Sequence, residues 1–136
     1  MTVVVWVFAL LAAAVHLLVF VWEAFLITRP RIHQGVFGVP AADVPAVRLW
    51  AFGVGFYNLF IGLGMVGGVV AWMAGYVSAG RTLVLYLLVF MFLSGLVLLV
   101  ADRLALGREK GSGIGGAIGQ SGPPLVALAA AAIAMG

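Results

Sequence analysis

The stretch ALLAAAVHLLVFVWEAFLI, residues 9–27, is an apolar span that contains two ionisable residues, His16 and Glu23. Ionisable side chains are costly in hydrocarbon, so they face a bundle interior or a watery cavity and usually serve a function. Because His16 and Glu23 are seven residues apart, a helix places them at nearly the same azimuth, roughly 10 Å apart along its axis. The same face carries small alanines, which let a neighbouring helix pack closely.

The composition is that of an integral membrane protein. Of the 136 residues, 65% are hydrophobic and 8% are charged, and the mean hydropathy is +1.28. The apolar runs reach the roughly 20 residues that cross a bilayer, and too few polar residues remain to cover a soluble surface. The absence of cysteine excludes disulfides and thiolate metal sites. The basic excess indicates membrane topology, so we expect no nucleic-acid partner. We also expect no cofactor and no metal.

The chain predicts one all-α transmembrane domain, residues 1–136, folded as an antiparallel four-helix bundle. The predicted helices cover residues 2–28, 45–75, 81–104 and 114–135. The first ends before Pro30, since the residue preceding a proline is biased away from helix. The segment 31–44 is rich in glycine and proline and is expected to be a loop. Asp43 is the expected cap of the second helix, with Pro45 in its first turn.

Basic residues concentrate on one side of the predicted bundle. The first and third loops, with the helix ends beside them, hold six of the seven basic residues, and the other side holds only Arg81. The six are Arg29, Arg31, Arg48, Arg103, Arg108 and Lys110. Basic residues favour the cytoplasmic side, so we expect a multi-pass protein of the cell inner membrane with both termini outside.

Polar residues predict a site inside the bundle. The helix midpoints place His16 and Asn58 near the middle of the bilayer, where they can meet. One face of the second helix is a row of small residues around that amide: Ala51, Gly55, Asn58, Gly62 and Met65. The other polar groups fall in the cytoplasmic half: Glu23, Arg48, Asp102 and Gln120. Together they predict a funnel that opens at the cytoplasmic end and narrows towards His16 and Asn58.

Each of these residues also has a purely structural interpretation. The histidine and the two amides could be hydrogen-bonding groups between helices. Glu23 and Arg48 could form an interfacial ion pair, and Asp102 is most simply a solvated helix terminus. A zinc site from His16, Glu23 and His33 is disfavoured, because His33 lies in a loop and no paired ligand spacing is present.

Four stretches carry a further pattern: HLLVFVWEAFL at 16–26, VFGVP at 36–40, GFYNLFIGLG at 55–64 and GQSGPPLVALA at 119–129. In these stretches the chain resembles a small bacterial four-helix membrane family catalogued as domain of unknown function 1304. The motif residues carry over as His16, Glu23, Phe25, Phe37, Gly38, Tyr57, Asn58, Gln120 and Pro123. The stretch VADRLALGR at 100–108 departs from the family pattern, so the resemblance gives Asp102 no role. The resemblance implies the fold and the site residues, but it does not imply what chemistry the protein performs.

Three functional classes stay open at this point. The first is a small membrane protein that binds or passes a lipidic or weakly polar molecule, with its polar end at the ligand-binding residues His16, Glu23, Arg48, Tyr57, Asn58 and Gln120. The second is an isomerase-type membrane enzyme in which His16 and Glu23 act as acid and base. The third is a structural subunit of a larger complex, whose polar residues only join helices. The expected partner is a membrane lipid or a small hydrophobic ligand, and a homodimer or a larger membrane complex is compatible with each class.

Overall fold

Four long helices form the molecule in the computed structural model, which describes residues 1–135. They are α1 (Thr2–Ala24), α3 (Val44–Met73), α4 (Val77–Arg103) and α5 (Ile114–Met135). Each contains a window apolar and long enough to cross a membrane. Two short elements lie between α1 and α3: the single turn α2 (Pro30–His33) and a 3-10 turn (Ala41–Asp43). The protein is therefore an all-α, multi-pass membrane bundle, as predicted.

The long helices pack in a square. α1 lies against α3 and α5, and α4 lies against the same two helices, so that α1 and α4 are diagonal to each other. One end of the bundle carries both chain termini and the turn between α3 and α4. The opposite end carries residues 25–43 and 104–113, and we call it the loop end.

The apolar core occupies the half of the bundle nearest the termini. Its buried members come from the first half of α1, the second half of α3, the first half of α4 and the second half of α5. Trp6 and Trp72 close this half with an edge-to-face contact, their ring centroids 6.0 Å apart. The polar residues of α1 and α3 consequently lie between the core and the loop end.

Glycines bring α1 and α3 into close contact. A Cβ atom at Gly55 would lie 3.1 Å from the backbone nitrogen of Ala24. A Cβ atom at Gly62 would lie 2.9 Å from Leu17 Cδ2 and 3.3 Å from the carbonyl oxygen of Ala13. A side chain at either position would crowd α1, so these glycines favour the observed close packing, and two members of the predicted row of small residues lie at the α1–α3 contact.

Two predicted boundaries differ from the structure. The first helix ends at Ala24 and not at residue 28, because the chain unwinds through turns before Arg29, which is extended ahead of Pro30. The helix expected from residue 81 begins at Val77, since the turn at Gly75, with φ of +95°, is tight enough to restart the helix at once.

The segment expected to be a loop is partly helical. It contains α2 and the 3-10 turn, and the imidazole of His33, which is buried, bonds through Nδ1 to the carbonyl oxygen of Val39 at 2.8 Å. Gly38 lies within this segment with φ of +65°, a conformation that favours glycine. Asp43 takes the predicted cap position of α3, but its side chain makes no capping hydrogen bond.

Candidate functional site

A chain of hydrogen bonds joins His16, Asn58 and Glu23. His16 Nδ1 lies 2.6 Å from Asn58 Oδ1. An amide oxygen only accepts, so we assign the proton to Nδ1, which donates it to Asn58. The amide nitrogen of Asn58 donates to Glu23 Oε2 at 2.9 Å. The expected meeting of His16 and Asn58 is confirmed, and Asn58 also connects the histidine to the carboxylate.

The local sequence explains this geometry. His16 and Glu23 lie two helical turns apart on the face of α1 that meets α3. On α3, Gly55 and Gly62 lie about one turn before and after Asn58. Because they have no side chains, the backbones of α1 and α3 can pack closely there. The amide of Asn58 can then reach one partner with its oxygen and the other with its nitrogen. A single asparagine thus spans the distance between the two ionisable residues.

One polar atom at each end of this chain has no protein partner in the described residues. His16 is 3% exposed, and its Nε2 is buried without a hydrogen-bond partner. With the proton assigned to Nδ1, Nε2 of a neutral imidazole is a hydrogen-bond acceptor. Glu23 is only partly buried, and its Oε1 makes no hydrogen bond within the same part of the chain, whereas Oε2 accepts from Asn58.

Glu23 also lines a groove of about 520 Å³ at the loop end. The ends of α1 and α4, the first half of α3 and the loop segments 37–40 and 106–108 form its walls. Phe37, Trp50, Val54 and Leu98 give it apolar surface, and its ionisable residues are Glu23, Asp43 and Arg108. The groove is open to its surroundings, and its volume falls within the range found for small-molecule sites.

The groove ends at Glu23. His16 and Asn58 are absent from its walls, because the two side chains bond to each other inside the α1–α3 contact. The predicted funnel that narrows to His16 and Asn58 is therefore wrong in its inner part. The structure connects these two residues to the groove through Glu23 and the Asn58 amide.

Three other predicted ligand-binding residues lie apart from this groove. Tyr57 is 66% exposed on the outside of the bundle, since it is one residue, or about 100°, from Asn58 on α3. Arg48 is exposed and lines a smaller groove of about 290 Å³ beside Phe25 and Thr28. It forms no ion pair with Glu23 among the described residues, so that structural alternative is wrong. Gln120 is half-buried on α5 and joins no side-chain hydrogen bond in this part of the chain.

Asp102 is not a solvated helix terminus. It is 1% exposed. Its Oδ2 accepts from the backbone nitrogen of Gly111 at 2.9 Å, and its Oδ1 from that of Gly113 at 2.6 Å. The carboxylate satisfies amides that precede α5, where a helix N-terminus favours negative charge. Asp102 therefore holds the loop between α4 and α5 in place.

Asp43 and Arg108 are groove residues that the sequence did not reveal. Neither lies in an apolar span or at a recognisable motif spacing. The sequence did point to the groove residues Phe37 and Gly38, because both belong to the VFGVP stretch that resembles the family. In the described residues, no group of three or more His, Cys, Asp or Glu side chains is placed to hold a metal ion.

These features define a class: a small four-helix membrane protein with a hydrogen-bonded histidine, asparagine and glutamate beside a groove at one membrane surface. The chain belongs to the family described as protein of unknown function (DUF1304), whose model matches residues 10–132. No curated protein and no solved structure matches the chain significantly.

Proposed function

We propose that this protein binds an amphipathic, lipid-like molecule in the groove at the loop end, with a hydrogen-bond donor of that molecule at Glu23. The observation that carries this proposal is the position of Glu23. Its Oε2 is held by Asn58 at 2.9 Å, and the same residue forms part of the groove wall. A carboxylate oriented by a half-buried amide and open to a cavity is a preorganised acceptor.

The groove suits a molecule with a polar end and an apolar body. Its volume of about 520 Å³ lies within the range of roughly 300–1,000 Å³ found for ligand sites. Aromatic and aliphatic side chains dominate its surface, and its few ionisable groups are Glu23, Asp43 and Arg108. Such a division is typical of sites in which apolar walls give affinity and a few polar groups fix orientation.

The alternatives make different use of the same residues. A structural subunit would use His16, Asn58 and Glu23 only to join α1 to α3, and their mutual hydrogen bonds fit that role. The structural-subunit interpretation does not explain the groove or the second carboxylate oxygen of Glu23, which makes no hydrogen bond in the described residues. An acid–base enzyme would need His16 to reach its substrate, but His16 is 3% exposed and outside the groove. Ligand binding at Glu23 accounts for the groove and for the hydrogen bonds together.

The test is native mass spectrometry of the purified protein, with wild type, Glu23→Gln and Glu109→Gln compared. Gln at position 23 still accepts from Asn58, so the fold is retained while the charge is removed. Glu109 is the matched control, because it is exposed at the same end of the bundle and absent from the groove walls. We expect wild type and Glu109→Gln to retain a lipidic molecule and Glu23→Gln to lose most of it. Wild-type protein without any such molecule, even after incubation with membrane lipid, would favour the structural subunit.

We place the groove on the cytoplasmic face of the inner membrane, with both termini outside. The distribution of basic residues supports this orientation: six of the seven lie at the loop end, and only Arg81 lies near the other. The ligand would then enter from the cytoplasmic leaflet.

A further inference from the structure

The groove is lined by acidic and basic residues from separate elements. Glu23 comes from α1, Asp43 precedes α3, and Arg108 belongs to the loop between α4 and α5. No Arg or Lys nitrogen lies within 4.0 Å of a carboxylate oxygen in the described residues. The three groups are therefore charged or polar walls of one cavity that do not neutralise one another by direct pairing.

Arg108 is held at the groove by its neighbours. Its side-chain stem crosses Gly38, where an added Cβ atom would lie 3.5 Å from Arg108 Cδ. Its guanidinium lies next to Gly113, close to the carboxylate of Asp102. Both oxygens of Asp102 already accept backbone hydrogen bonds from Gly111 and Gly113. Asp102 attracts the guanidinium through charge, but Arg108 donates no side-chain hydrogen bond in the described residues. Its donors can therefore bind a further acceptor, and a guanidinium matches phosphate oxygens well.

The carboxylates of Glu23 and Asp43 have oxygen atoms that can accept further hydrogen bonds. Glu23 Oε1 makes no hydrogen bond in the described residues. Asp43 occupies the N-cap position of α3, where a side chain normally binds a backbone amide, yet it makes no capping hydrogen bond. Glu23, Asp43 and Arg108 line the same cavity. Their complement is a molecule with one anionic group and one cationic hydrogen-bond donor.

We infer that the groove recognises a phospholipid headgroup that carries both a phosphate and a primary ammonium, with Arg108 as the phosphate contact and Glu23 as the ammonium contact. This inference rests on the proposed function and adds the class of ligand. Asp43 adds negative charge on the ammonium side, and the apolar walls take the upper part of the acyl chains.

Three phospholipids with identical acyl chains test the headgroup. Phosphatidylethanolamine has both groups, phosphatidylcholine has a quaternary nitrogen that donates no hydrogen bond, and phosphatidylglycerol has no cation. Binding to the wild-type protein is measured by native mass spectrometry. We expect phosphatidylethanolamine to bind about fivefold or more tightly than either of the others, the size expected for one charged contact near a membrane surface.

The variants Arg108→Gln and Lys110→Gln make a matched pair. Both remove one positive charge from the same loop, but Lys110 is exposed and outside the groove. We expect Arg108→Gln to weaken phosphatidylethanolamine binding about fivefold, Lys110→Gln to leave it unchanged, and Arg108→Lys to retain most of it. If Arg108→Gln does not fold, the comparison of the three lipids on wild-type protein still decides the question.

The outcomes separate this inference from the proposed function. Equal binding of the three lipids, or equal effects of Arg108→Gln and Lys110→Gln, would overturn the headgroup assignment while lipid binding itself stands. Binding of soluble phosphoethanolamine as tightly as the lipid would support the headgroup contacts but contradict the proposed binding of a lipid-like molecule, because the acyl chains would then contribute nothing. Absence of all lipid binding would overturn the proposed function as well.

Discussion

Replacing Asn58 with leucine tests whether one amide organises the α1–α3 contact. The substitution removes two interhelical hydrogen bonds, of 2.6 Å to His16 and 2.9 Å to Glu23. Hydrogen bonds between membrane helices average about 0.6 kcal/mol each, with a maximum of about 1.7 kcal/mol. After the substitution, neither ring nitrogen of the buried His16 would have a hydrogen-bond partner. We therefore expect the loss of this hydrogen bond to cost close to the maximum. Glu23 borders the groove, where water can take the place of the Asn58 amide as a donor. We therefore expect the loss of the hydrogen bond to Glu23 to cost close to the average. We expect Asn58→Leu to lower the free energy of unfolding by about 2 kcal/mol.

Gln120→Leu is the control for this substitution. It also replaces a half-buried membrane amide with leucine, but Gln120 joins no side-chain hydrogen bond among the described residues. We expect it to change the free energy of unfolding by less than about 0.5 kcal/mol. Unfolding in mixed micelles with a denaturing detergent, followed by fluorescence of the four tryptophans, measures both values.

A double-mutant cycle assigns the effect to the His16 contact. If the hydrogen bond to His16 carries most of the loss, His16→Leu and Asn58→Leu together cost less than the sum of the two single substitutions. Equal losses for Asn58→Leu and Gln120→Leu, or strictly additive effects of the two leucine substitutions, would refute this account of the α1–α3 contact.

Other substitutions address packing, the α4–α5 loop and topology. Gly62→Ala should reduce stability relative to Gly67→Ala in the same unfolding assay, since an added methyl group meets Leu17 at Gly62 and nothing within 4 Å at Gly67. Asp102→Asn should speed amide hydrogen exchange in the loop before α5, because the carboxylate accepts two backbone hydrogen bonds there; unchanged protection would contradict its role in holding that loop. The chain has no cysteine, so Ser112→Cys and Ser78→Cys are single labelling sites, and we expect an impermeant thiol reagent to reach the first from the cytoplasmic side only and the second from outside only.

The four-helix membrane architecture follows from the sequence because it depends on local properties. Apolar runs of bilayer length predict helices wherever they occur, since a backbone in hydrocarbon must satisfy its own hydrogen bonds. The seven-residue spacing of His16 and Glu23 fixes them to one face, and the small residues around Asn58 mark the face that meets it. The approach of His16 and Asn58 could therefore be predicted from periodicity and helix midpoints alone.

The groove and its charges depend on tertiary contacts that no local pattern records. Arg108 reaches the groove because its stem lies on Gly38, about 70 residues earlier in the chain, and Asp102 is buried because a loop folds back to place two amides on it. The two carboxylates of the groove, Glu23 and Asp43, come from different elements. Sequence determined which residues are polar within each helix and which face they share. Only the tertiary structure decided that Asn58 binds both His16 and Glu23, and that Glu23 is the residue that meets the groove, because helix rotation and loop conformation are set by packing between distant segments.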